Sequence, residues 1–176
     1  MSVVALAACG SESAPPQAPP EAAIPDLRAS EVVELDEDRI AADAIDEAEL
    51  SSLLGDAGFE SAVERRYSGP GGEIRRVDVR VVRFGSSDGA ERYLAWVVDH
   101  VEEVIGEATQ AMSTPGMPDS VYVHVPDGCC HKETVLALSV WRDGRDVLRV
   151  LVAGPAADEA VGLDLIASIR QRMAAA

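Results

Sequence analysis

The chain has 176 residues, 47% of them hydrophobic, which is enough for one ordinary domain with a real core plus a tail. Its formal net charge is −16, from 31 acidic against 15 basic residues, with no basic run anywhere. That balance argues against nucleic acid as a partner and against electrostatic docking on anionic lipid.

The acidity is concentrated in one part of the chain. Residues 21–64 hold fourteen acids and two bases, whereas residues 65–176 hold sixteen acids and thirteen bases. The first stretch reads as a solvated, self-repelling segment, and the nearly balanced remainder as the folded body. Lys132 stands alone against fourteen arginines, a bias typical of GC-rich coding sequence.

Near the start, Leu6-Ala7-Ala8-Cys9 places an aliphatic residue and two small residues before a cysteine, and Gly10-Ser11-Glu12-Ser13 follows. This stretch resembles the lipobox of bacterial lipoproteins, here with a truncated signal peptide, since no Lys or Arg precedes the apolar run. The resemblance implies that residues 1–8 are a signal-peptide remnant and that Cys9 is the lipidated residue. It also implies that the protein sits on the extracytoplasmic face of the cell membrane, held by a lipid anchor. Residues 9–26 include Ala14-Pro15-Pro16-Gln17-Ala18-Pro19-Pro20 and read as a Pro-rich disordered tether. Nowhere do eighteen apolar residues run together, so no transmembrane helix is predicted.

Residues 27–45 read as an acidic spacer or domain edge, with scattered apolar positions at Leu27, Val32, Val33, Leu35, Ile40 and Ile45. A single globular domain is expected over 46–174. Asp46-Glu47-Ala48-Glu49 opens a short helix with acids in its first turn; Leu50, Leu53 and Leu54 form its apolar stripe, and Gly55 or Gly58 ends it. Residues 59–67 and 73–84 read as a hairpin about Ser68-Gly69-Pro70-Gly71-Gly72, with Val77, Val79 and Val81 on one face and Arg76, Asp78 and Arg80 on the other. Pairing Tyr67 with Glu73 sets Val63 opposite Val77 and Glu64 opposite Arg76.

Ser86-Ser87-Asp88 supplies cap residues for a helix over about 88–106, whose apolar side carries Ala90, Tyr93, Leu94, Val97, Val101, Val104 and Ile105. A loop and a short strand, 121–125, follow. Two β-rich runs, 134–141 and 145–153, are joined by Asp143-Gly144, and a last helix over about 157–173 turns Val161, Leu165, Ile169 and Met173 inward. Hairpins dominate this order, so the predicted fold is α+β, a mainly antiparallel sheet of about five strands covered by two to three helices. The pattern is broadly similar to small lipoprotein ectodomains of high-GC Gram-positive bacteria.

The sharpest side-chain feature is Cys129-Cys130-His131, with His124 nearby. Exported thiols tend to pair, and with Cys9 lipidated only this adjacent couple remains, as a possible vicinal disulfide in a strained eight-membered ring. His124, Cys129, Cys130 and His131 form the alternative, a thiol-redox or Cu/Zn-handling group, although their spacing matches no standard zinc pattern. The first-hairpin arginines (Arg65, Arg66, Arg75, Arg76, Arg80) pose a choice between an anion-binding face and cross-strand pairing with Glu64, Asp78 or the acidic N-terminal segment; pairing is the simpler account. Trp96 and Trp141 are candidates for a pocket wall or for core. No catalytic motif is present: there is no nucleophile elbow, phosphate loop, zinc-protease helix or dinucleotide fingerprint, and His100 beside Asp99 on a helix makes no dyad. The expected function is therefore a non-catalytic binding, sensing or accessory module of the cell envelope. Its expected partner is an envelope protein or small ligand, without a cofactor, acting as a monomer.

Overall fold

The period-two alternation of residues 76–82 builds the centre of the fold, and everything else is laid on its two faces. The computed structural model describes residues 15–21, 23–24, 26–69, 74–101, 112–113, 120–124, 134–154 and 159–175. Its strands are β1 (Arg28–Ala29), β2 (Val33–Leu35), β3 (Phe59–Ser68), β4 (Arg76–Phe84), β5 (Met112–Ser113), β6 (Ser120–His124), β7 (Thr134–Asp143) and β8 (Asp146–Gly154). The described helices are α1 (Glu37–Ala41), α2 (Glu47–Ala57), α3 (Ser87–Asp99) and α4 (Glu159–Ala175).

All the described strands join one antiparallel sheet in the order β1-β3-β4-β8-β7-β6-β5, with β2 pairing β3 on the edge that β1 also uses. Five of the strands have five or more residues, and the other three are two- or three-residue pieces at the sheet edges. The fold is thus α+β with a mainly antiparallel sheet, as the order of patterns predicts. The short pieces were not separable by periodicity, because two residues show no period.

Residue parity divides the sheet. Val77, Val79 and Val81 join Val63, Tyr67, Trp141, Leu148, Val150 and Val152 in a core closed by Ile166, Ile169 and Met173 of α4. Val82 and Phe84 point the other way and pack with Leu138, Val140, Val147 and Leu151 under α1, α2 and α3. Helix starts follow local chemistry: Asp36, Asp46 and Ser86 each accept a hydrogen bond from the backbone N–H three residues on. Helix α2 ends at Gly58, whose φ of 74° is the left-handed conformation of a C-terminal cap.

Two details of register differ from expectation. Glu64 pairs with Arg80 and Val63 with Val81, so β3 and β4 sit four residues away from the expected pairing. A shift by four keeps every side chain on its face and still sets acid opposite base, so alternation alone does not separate the two registers. The second hairpin turns on Gly144-Arg145, one residue later than Asp143-Gly144, with Gly144 at the positive φ its first loop position requires.

The described residues of the Pro-rich stretch expected as a tether, 15–21, 23–24 and 26, include several that lie against the domain. Pro16, Pro19, Ala23 and Ile24 are buried on the α4 face of the sheet. Carbonyls in this segment find donors there: Arg65 Nη1 donates to Pro19 O at 2.7 Å, Tyr67 Oη to Pro20 O at 2.7 Å and Arg83 Nη1 to Pro15 O at 3.1 Å. Proline withholds donors but not acceptors, so a Pro-rich segment docks well on a surface that presents arginine and tyrosine.

Two stability changes follow. Tyr67→Phe removes the hydroxyl that holds Pro20, at a cost of about 1 kcal/mol, and limited proteolysis between residues 15 and 24 becomes faster. A Cβ on Gly89, in the first turn of α3, would stand 2.0 Å from the Ala57 carbonyl oxygen, whereas on Gly85 it meets only ordinary contacts. Gly89→Ala therefore forces α3 away from α2 and costs about 1–3 kcal/mol in a urea melt, while Gly85→Ala costs less.

Candidate functional site

The side of the sheet that carries α1–α3 is only partly covered by them. Beyond the helices, the early residues of β4 leave a cleft of about 380 Å³ lined by Leu35, Arg39, Ala42, Asp43, Glu64, Arg66, Arg76, Asp78, Arg80, Arg149 and Leu151. Strand pairing sets a charged row across its floor: Glu64 on β3 faces Arg80 on β4, and Arg80 faces Arg149 on β8.

Two arginines directly opposite each other repel. Asp43, in the turn between α1 and α2, relieves this. Its Oδ2 accepts Arg80 Nη1 and Arg149 Nη1, each at 2.6 Å. Glu64 Oε2 completes the cluster, accepting Arg80 Nε at 2.9 Å and lying 2.8 Å from Arg80 Nη2. Arg80 is 8% exposed, so its charge depends on these partners. Burial alone would raise the Asp43 carboxyl, but Arg80 and Arg149 together outweigh burial and hold it below the ordinary carboxylate range. Burial works against the charge on Arg80 as well, and Asp43, Tyr93 and Glu64 reverse that effect. Tyr93, buried on α3 beside this cluster, has its phenol pushed up by burial.

A second group lies further along the cleft. Asp78 Oδ1 accepts Arg66 Nε at 2.7 Å, while Arg76 Nε stands 3.3 Å from Asp78 Oδ2 as an ion pair without a hydrogen bond. Arg39 extends from α1, exposed, at the rim. Pairing with Glu64, Asp78 and the N-terminal acids thus accounts for much of the arginine chemistry on this hairpin. The partner that the sequence left unnamed is Asp43. Arg65, of opposite parity, belongs to the other face with Pro19 and Glu21.

The remaining candidates lie elsewhere. Trp96 is buried, donates from Nε1 to Glu49 Oε1 at 3.0 Å and stacks on His100 with ring centroids 4.5 Å apart. His100 Nδ1 donates to Trp96 O at 2.9 Å and its Nε2 faces Glu49, an arrangement that closes the end of α3. Trp141 is buried on the opposite face, under the Arg170 guanidinium, beside a smaller recess of about 240 Å³. His124 ends β6 opposite Ala137. Cys9, Cys129, Cys130 and His131 lie outside the described residues. Among the described residues no group of three or more His, Cys, Asp or Glu is arranged to hold a metal ion, and no helix is long and apolar enough to cross a membrane.

The Asp43 cluster predicts a pH dependence. A carboxyl with a lowered folded pKa adds stability above its unfolded value of 3.8, and this is lost as pH falls through the lower folded value. Asp43→Asn should cost about 1–2 kcal/mol at pH 7, less than a fully buried pair because part of Asp43 remains in water. In urea melts the gap between wild type and variant narrows as pH falls below about 4.

No family model matches the chain, and no curated protein matches it. Among solved structures it is similar to the extracellular domain of PknH from Mycobacterium tuberculosis, with a TM-score of 0.58 and 14% identity over 86% of each chain. At that identity the likeness establishes a shared fold.

Proposed function

We propose that the chain is a lipid-anchored, non-catalytic binding or sensing module on the extracytoplasmic face of a bacterial membrane, with Cys9 as the modified residue and the arginine cleft as the binding surface. The observation that carries the binding half is the cleft. Five arginines and three carboxylates line it, an excess of cationic groups over a floor held rigid by the Asp43 ion pairs, which suits recognition of an anionic ligand. Leu35 and Leu151 add apolar surface beside them, the mixture usual in small-molecule sites.

The anchoring half rests on Leu6-Ala7-Ala8-Cys9, and the fold shared with a domain described as extracellular agrees with it. The docked Pro-rich segment gives the anchor a consequence. Only six Cα–Cα steps separate Cys9 from Pro15, so the chain reaches at most about 22 Å between them. An acylated Cys9 therefore holds the Pro15 side of the domain next to the bilayer. Two acyl signals suffice for stable attachment.

The test is metabolic labelling with an alkyne fatty acid, in the native host and from the native locus, followed by detergent phase partition. The wild-type protein takes up label and enters the detergent phase. Cys9→Ala is unlabelled and stays in the aqueous phase. A wild-type protein without label, or a labelled Cys9→Ala, overturns the assignment.

A further inference from the structure

We infer that the arginine cleft takes a dianionic phosphate group, free or at the end of a small organic molecule, held by Arg39, Arg66 and Arg76. This rests on reading the cleft as a binding surface and names its ligand class.

Local charge carries the argument. Arg80 and Arg149 are matched by Asp43 and Glu64. Arg66 and Arg76 share one carboxylate, Asp78, and Arg39 adds a third cation to the lining of the cleft. The cleft as a whole therefore carries an excess of two positive charges in a chain whose net charge is −16. An excess of two calls for a dianion. A phosphate monoester carries nearly two charges near neutrality, and a monocarboxylate carries one.

Geometry agrees with this. The side chains of Arg66 and Arg76 are 52% and 38% exposed. Asp78 engages both through Nε, so the terminal nitrogens that form the guanidinium fork have no bond to it. Asp78 thus orients the Arg66 fork without occupying it and stands beside that of Arg76, and such forks match phosphate oxygens bidentately. Arg76 Nε is buried without a hydrogen-bond partner among the described residues. The volume, about 380 Å³, is at the small end of ligand sites, enough for a phosphate with a short organic body against Leu35 and Leu151.

The test is calorimetric titration of the full 176-residue chain at fixed ionic strength with inorganic phosphate, glycerol 3-phosphate, acetate and glycerol, with amide chemical shifts to locate binding. Phosphate and glycerol 3-phosphate bind saturably at the cleft, and acetate and glycerol do not. Tighter binding of glycerol 3-phosphate assigns the organic ester as the ligand, and equal binding assigns free phosphate. Arg39→Gln and Arg66→Gln, both exposed, each weaken binding about tenfold. Arg28→Gln, an equal charge change on exposed β1 outside the cleft, leaves it unchanged. Equal weakening by Arg28→Gln, or acetate binding as well as phosphate, overturns the proposal. So does cleft binding by glycerol alone, which would retain a binding module and reject its anion. Absence of any cleft response rejects both.

Discussion

Arg80 and Arg149 stand opposite each other on adjacent strands, and the fold tolerates this because Asp43 reaches between them. Two cations across a strand pair destabilise a sheet. One carboxylate oxygen 2.6 Å from both converts that repulsion into a three-residue bridge. Asp43 does not come from the sheet. It sits in the turn between α1 and α2, so the bridge also ties the acidic N-terminal region to the sheet centre. Ile40, Ala41 and Ala44, immediately around Asp43, are buried in the same core as α2 and α3. The charged contact and the apolar packing therefore place this turn together.

The same region explains what was legible in the sequence. The α+β class, the two main hairpins, the caps and the inward residues of α2 and α3 follow from local rules: period, cap chemistry and turn residues. The β3–β4 register was not legible, because period two determines the face of a residue but not a slip by an even number. Ile166 of α4 is buried although the stripe through Leu165 and Ile169 passes beside it; a helix on a broad sheet buries a wider face than a narrow stripe indicates.

The candidate site was half legible. Alternation on β4 gave the arginine–carboxylate face, and charge matching gave Glu64 and Asp78. Asp43 was hidden among fourteen acids between residues 21 and 64, and only tertiary structure selects it. Arg149 was hidden for the opposite reason. It is one polar residue in a β-rich run, and its role depends on β8 pairing with β4 sixty-nine residues away in the chain. The docked Pro-rich segment was illegible too. Composition reports that proline cannot join a helix or central strand, but not that Arg65 and Tyr67 present donors to its carbonyls.

The choice of arginine at positions 80 and 149 bears on what the cleft is for. Replacing a buried ion cluster by apolar side chains of similar volume is often neutral or stabilising, so stability alone does not require these charges. Both arginines lie against the α1–α2 turn and α3, with Tyr93 beside them. Valines at those two positions would extend the apolar floor of Leu138, Val140, Val147 and Leu151 into the cleft, giving a surface that demands cover. Arginines bound to Asp43 and Glu64 instead give a floor that is rigid, charged and stable against water. The apolar stems of Arg80 and Arg149 rest on the sheet while their guanidinium groups set the field above it. Ion pairing therefore does at this end of the sheet what apolar packing does elsewhere, seating the α1–α2 turn on the strands while leaving charge at the edge of the cleft.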